Sequence, residues 1–411
     1  MSFARALDVK STAIWATVIL AAGGARPVDR IELRDGKKIE GYVLLERKDE
    51  LVVLVDSRER TVQRSKVASI RSASRSLEAA FELYDQIPVG DAAGLADLAR
   101  HCKDEALPGE ADVFALAALC CDADNAAAHA LLGHKRRKGG WFARRGGDLV
   151  PFAELLPARA DLRDPWKLRT SHYALLTNLS LRDAVAIAID LERFYGAFFE
   201  LMGAEIEVSE VVVPLDVGVY GDSRSFPESV INRRAYFDPK TAQVVIDASA
   251  VEPRTSLIHE ATHQLLHATA VNTRAGLGEI PGWVDEGLAE YLSASLRGEG
   301  GHARFDLGAI AEHHFTAHRD AKEPYDLPRV LQFASGDFLG SSRMDLKYAQ
   351  SYTLVHFFLH AEQRRYRGKF FAFLKSAYAG SASTTDFKSV VDVPEKELEA
   401  AWKTHVLRPM R

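Results

Sequence analysis

At 411 residues and 47% hydrophobic composition, the chain can bury a sizeable core and is expected to hold two or three domains. Its formal charge of −5 gives no footprint for nucleic acid and no trap for acidic substrates, so no nucleic-acid partner is expected. No internal repeat is visible, and neither G-x-S-x-G nor G-x-x-x-x-G-K-[ST] occurs, which removes serine-nucleophile and phosphate-loop readings.

Arg5 and Lys10 precede the apolar run Thr12 to Ala22, and small residues continue to Ala25. A charged start, a short apolar centre and a small-residue exit read as a signal peptide over 1–25, cleaved near Ala22 to Ala25. The run is short for a membrane span, so no stable span is expected after cleavage. The chain is then exported: periplasmic, in the cell envelope or secreted. The alternative is a buried N-terminal helix.

Residues 28–72 read as short strands. Ile31 and Leu33 alternate before the hairpin signal Asp35-Gly36, and Ile39, Tyr42 to Leu44, Leu51 to Val55 and Val67 to Ile70 follow. So many small strands resemble an SH3-like or Sm-like β-barrel, a binding or tethering module. From 75 to 134 the pattern turns helical, with segments near 76–86, 92–104, 109–121 and 125–133 broken by Pro88, Pro108-Gly109 and Asp122-Ala123-Asp124. This resembles a short helical-repeat module, and it or the barrel offers a surface for a protein partner. Cys102, Cys120 and Cys121 fall here; they read as small buried apolar residues, or as one bridge from Cys102 to its neighbours. The basic, glycine-rich stretch within 135–165 reads as a solvated linker anchored by Trp141 and Phe142, with a patch for RNA or anionic lipid as the sharper alternative.

Residues 166–411 carry the chemistry. A strand is expected over 168–178, a long helix from Leu181 to Met202, and strands over Val211 to Tyr220 and Ala242 to Asp247. Then come His259-Glu260-Ala261-Thr262-His263. On a helix, residues four apart share a face, so two imidazoles converge while Glu260 stands beside them. Neutral imidazoles suit zinc, a catalytic site needs a third protein ligand and a water, and the adjacent carboxylate is suited to accept that water's proton. The next helical segment, Pro281 to Tyr291, carries Asp285, Glu286 and Glu290 as candidates for the third ligand.

An H-E-x-x-H helix followed by W-x-x-E-G-x-A-E-Y, here Trp283 to Tyr291, resembles the gluzincin zinc metallopeptidases. The likeness is to the bacterial peptidase-MA-like domains, and more distantly to the aminopeptidase group. The resemblance implies an α+β, mainly helical zincin-like domain with a small sheet and one Zn2+ per chain held by His259, His263 and Glu286. It implies Glu260 as general base and Glu290 as a partner orienting a ligand imidazole, and leaves Asp285 as a helix N-terminal acid. It further implies that an extended peptide lies along the strand at Val244, Val245 and Ile246, taken as a sheet edge. The helix opening at Lys347 to Leu359 resembles the family's Y-x-x-x-x-x-L-V-x-x-[FL] segment, so Tyr348 is implied as the oxyanion donor, with Tyr352 one turn on as runner-up. The G-x-M-E-N segment that holds a free amino terminus is missing, so the implied activity is an endopeptidase on peptide or protein substrates.

The other histidines are assigned outside the site: His267 at a helix end or pocket rim, His356 and His360 as core or surface residues, and His313, His314 and His318 as solvated. The competing reading is a non-catalytic envelope binding or scaffold protein with a zinc site. A closed structural site normally has four protein ligands and no use for Glu260.

Overall fold

A computed structural model of the protein describes residues 26–222, 226, 234–250, 252–271, 280–338 and 342–407; the expected signal, 1–25, lies outside them. The architecture is α+β, with helices and several small sheets. No described helix is long and apolar enough to cross a membrane. Among the described residues, those up to Glu192 together with those from Glu210 to Asp222 form one compact unit, and Arg193–Ser209 with those from Phe226 onward form a second. Residues 166–192 and 210–222 thus group with the N-terminal part of the chain.

In the first unit, β1 (Asp29–Leu33), β2 (Lys38–Glu46), β3 (Glu50–Val55), β4 (Arg58–Gln63) and β5 (Val67–Arg71) form an antiparallel sheet in the order β4-β3-β2-β1-β5. Its core is Ile31, Val43, Leu51, Val53, Val62 and Val67. The expected barrel does not close, because no pairing joins β4 to β5 among the described residues. β4 buries only Val62 and keeps Arg58, Glu59 and Arg60 exposed, which leaves that edge in water. The same polarity hid β4 from the alternation pattern.

Four helices follow: α1 (Ala73–Tyr84), α2 (Ala92–Asp104), α3 (Pro108–Cys121) and α4 (Ala126–Leu131). Ser72, Asp91 and Asn125 accept backbone N–H groups at three of their starts, and Pro108 opens the fourth, so the breaks lie where capping chemistry put them. The cysteines are free, with Cys102 buried and Cys121 exposed.

The stretch expected to be a linker is instead folded. β6 (Lys135–Arg137), β7 (Gly140–Arg145) and β8 (Asp148–Pro151) form an antiparallel meander, followed by α5 (Phe152–Ala158). Trp141 stacks on His129 at 4.3 Å, and Ala143 and Phe152 are buried, so a few apolar residues under a basic surface were enough. The single strand expected over 168–178 is a hairpin of β9 (Trp166–Arg169) and β10 (Tyr173–Thr177). It turns where the buried Glu192 carboxylate takes the His172 N–H at 2.7 Å. The helix α6 (Leu181–Ile206) leads on to β11 (Leu215–Tyr220), which runs parallel to β10.

The second unit contains the hairpin β12 (Ala235–Asp238) and β13 (Gln243–Asp247), then α7 (Pro253–Val271) and α8 (Gly282–Ser295). The short pair β14 (Leu296–Arg297) and β15 (Arg304–Phe305) precedes α9 (Glu312–Arg319), α10 (Leu327–Val330) and α11 (Met344–Arg364). α12 (Arg367–Tyr378), α13 (Thr384–Val391) and α14 (Glu395–Leu407) complete it. Trp283, 1% exposed, is its hub. Its ring lies parallel to Phe373, within 5°, and meets Phe387 edge-on at 5.8 Å, which fixes α8 against α12 and α13.

Candidate metal centre

Pro253 opens α7, where its missing N–H costs nothing. Leu257, Ile258, Ala261, Leu265 and Leu266 are buried and set which face of the helix turns inward. His259 and His263 therefore share one partly open face, and Glu260 projects next to them. α8 reaches this face because it packs very close to α11. A Cβ at position 287 would lie 2.7 Å from the Ser351 carbonyl oxygen, so only glycine allows the approach. The Glu-Gly pair of the motif thus combines a candidate ligand with the clearance that delivers it.

The ring nitrogens converge: His259 Nε2 and His263 Nε2 are 3.2 Å apart, and Glu286 Oε2 is 3.3 Å from the first and 3.5 Å from the second. A tetrahedral ion with bonds of about 2.0–2.1 Å spaces its ligand atoms by about 3.3–3.4 Å. Glu286 Oε2 is buried and makes no directed hydrogen bond of its own. Three donors at that spacing, one of them a buried carboxylate oxygen, fit a divalent cation. Among the described residues, His259, His263 and Glu286 are the group arranged to hold a metal.

Each imidazole has its far side occupied. Glu290 Oε1 lies 3.2 Å from His259 Nδ1, and Asp285 Oδ1 lies 2.9 Å from His263 Nδ1. A carboxylate only accepts, so each Nδ1 carries a proton, which leaves Nε2 as the ring nitrogen free to bind a metal. Asp285 stands in the first turn of α8, as expected, and also orients His263, which the sequence reading missed. Two candidate ligand histidines call for two outer acceptors, and acids one residue before and four after Glu286 were the available signal.

Burial alone would push the His259 imidazole down, but Glu286 and Glu290 outweigh it and raise it to about 10. His263 likewise rises well above its ordinary value against burial, through Asp285 and Glu286. Burial pulls the Glu286 carboxyl up, and the two imidazoles overcome it and hold it down at about 2. The imidazoles and the carboxylates thus hold each other in their charged forms.

Glu260 is half-buried, and its Oε2 accepts the Phe237 N–H of β12 at 2.8 Å. Tyr348 lies at the start of α11 with its ring 6.2 Å from that of His259. Tyr352 is fully buried and its hydroxyl accepts the Ala311 N–H at 2.8 Å, which takes it out of the site. The expectation for Val244, Val245 and Ile246 needs correction. All three are buried, and β12 pairs along this strand with Phe237 opposite Val244. Phe237 turns its N–H to Glu260 instead, so β12 is the strand that faces the cluster.

His267 packs beside Phe237 at 5.4 Å. His356 is a core residue against His405, and His360 meets the Tyr291 hydroxyl. His313 is exposed, but His314 and His318 are buried, contrary to the solvated reading. α9 turns His314 to Glu290 Oε2 at 2.8 Å, and His318 Nδ1 to the Thr353 hydroxyl at 2.9 Å. No local pattern marks that turn.

No curated protein matches the chain. Residues 254–380, which include all three converging donors and Tyr348, match the family described as "Protein of unknown function (DUF1570)".

Proposed function

We propose that the second unit is a zinc-dependent metallopeptidase of zincin-like fold, an endopeptidase holding one Zn2+ through His259, His263 and Glu286. The observation that carries this reading is the triangle of Nε2, Nε2 and Oε2 atoms at 3.2, 3.3 and 3.5 Å, with Glu260 beside it. Zinc in such a site acidifies water and polarises a carbonyl. Glu260 accepts the proton released by the attacking water and returns it to the leaving amine. Its contact with the Phe237 N–H holds the carboxylate beside the converging donors. The Tyr348 hydroxyl donates to the developing oxyanion. An extended substrate chain lies along the outward side of β12 and gains orientation from backbone hydrogen bonds.

Purified full-length protein is expected to carry about one zinc and to cut an unfolded protein chain at internal bonds. Tyr348→Phe should lower turnover by up to about 10²–10³ with zinc content unchanged, because one oxyanion donor is lost. Tyr352→Phe should affect folding stability and leave the chemical step nearly intact. A larger turnover loss in Tyr352→Phe than in Tyr348→Phe, at equal stability, would overturn the oxyanion assignment.

Export belongs to the same proposal and rests on residues 1–25 alone. N-terminal sequencing of the native protein should find a start near Ala22 to Ala25. An intact Met1 on cytosolic protein removes export and leaves the peptidase reading standing.

A further inference from the structure

We propose that His314 is the outer member of a hydrogen-bonded chain, His259–Glu290–His314, that fixes how His259 presents its ring to the metal; this rests on the zinc reading above. Glu290 divides its two oxygens, Oε1 to His259 Nδ1 at 3.2 Å and Oε2 to His314 Nε2 at 2.8 Å. The shorter contact is the outer one. A glutamate has one more rotatable bond than the aspartate that serves His263, so its carboxylate needs a second anchor to stay in place. His314 supplies it from a separate helix, α9.

His314 is itself held rigidly. It is buried, and its ring stacks on Tyr352 at 4.7 Å and 29°. The Tyr352 hydroxyl takes the Ala311 N–H just before α9, so one tyrosine of α11 sets both the helix start and the ring. Tyr352 thereby acts as a platform two side chains away from the donors. His314 is a positioning residue: it touches neither the three converging atoms nor the space between them.

The test is zinc affinity of the full-length protein, by competition with a chromophoric chelator, together with the absorption bands of the cobalt(II) form. His314→Leu should weaken zinc by roughly tenfold and shift the cobalt bands, as loss of an outer partner does. His314→Gln keeps an N–H donor of similar reach and should restore most of the affinity. Ala317→Ser, at an exposed position of the same helix, should change nothing. In a Glu290→Ala background His314→Leu should add less than about twofold, because the chain is already broken. Should His314→Leu fail to fold, His314→Phe keeps the stack on Tyr352, loses only the donor, and is read in its place. Wild-type affinity in the variant that folds, or an equal loss in both backgrounds, overturns the proposal. A wild-type protein that binds no zinc overturns the metal reading together with it, whereas zinc-loaded wild type with indifferent His314 variants sinks this chain alone.

Discussion

Glu260→Gln is expected to keep its zinc and lose turnover on an unfolded protein substrate by about 10²–10⁴. Glutamine matches glutamate in size, and its amide oxygen can still accept the Phe237 N–H that Glu260 accepts at 2.8 Å. Glu260 is also not among the three donors that converge, so metal content should be unaffected. What disappears is a group able to take a proton from water. Zinc analysis and initial rates on the same preparation separate the outcomes. Zinc lost in parallel with rate would make Glu260 a structural part of the cluster. A parent protein with full zinc that cuts nothing would favour the binding and scaffold reading.

Loss of Glu286 is expected to be the severest change in metal binding. Its Oε2 stands 3.3 and 3.5 Å from the two ring nitrogens, so Glu286→Ala removes a direct ligand. Zinc affinity should fall by well over about 10²-fold, and activity with it, as for His259→Ala and His263→Ala. Glu290→Ala removes an outer partner and should cost about 10–100-fold. Asp285→Ala, which frees the far side of His263, should resemble Glu290→Ala. Added zinc should then rescue Glu290→Ala and Asp285→Ala at high concentration and leave Glu286→Ala inactive. The reverse ranking, with Glu290→Ala losing zinc and Glu286→Ala retaining it, would reassign the third ligand to position 290.

The helices of the N-terminal module and the hairpin at Asp35-Gly36 were legible because their signals are local: Ser72, Asp91, Asn125 and Pro108 cap starts, and Gly36 turns with a positive φ. β4 was not legible, since one buried valine among charged residues makes no alternation. The basic meander was not legible either. Its stability rests on Trp141 meeting His129, a residue in the preceding helix whose approach no window of sequence reports. The strand β12 lies within a polar stretch, and its importance came only from one backbone N–H directed at Glu260.

By itself the sequence determined that His259 and His263 would share one helix face with Glu260 beside them, and that acids at 285, 286 and 290 would stand on the next helix, because helical periodicity is a local property. It also marked Gly287, without saying why. Only the tertiary structure decided which acid meets which nitrogen. That depends on how deeply α8 sinks against α11, and the clearance over Ser351 at Gly287 sets that depth. It likewise decided that Tyr352 is a buried platform and that His314, 55 residues after His259, closes on Glu290. Contacts between distant segments depend on the packing of whole helices, which no periodicity encodes.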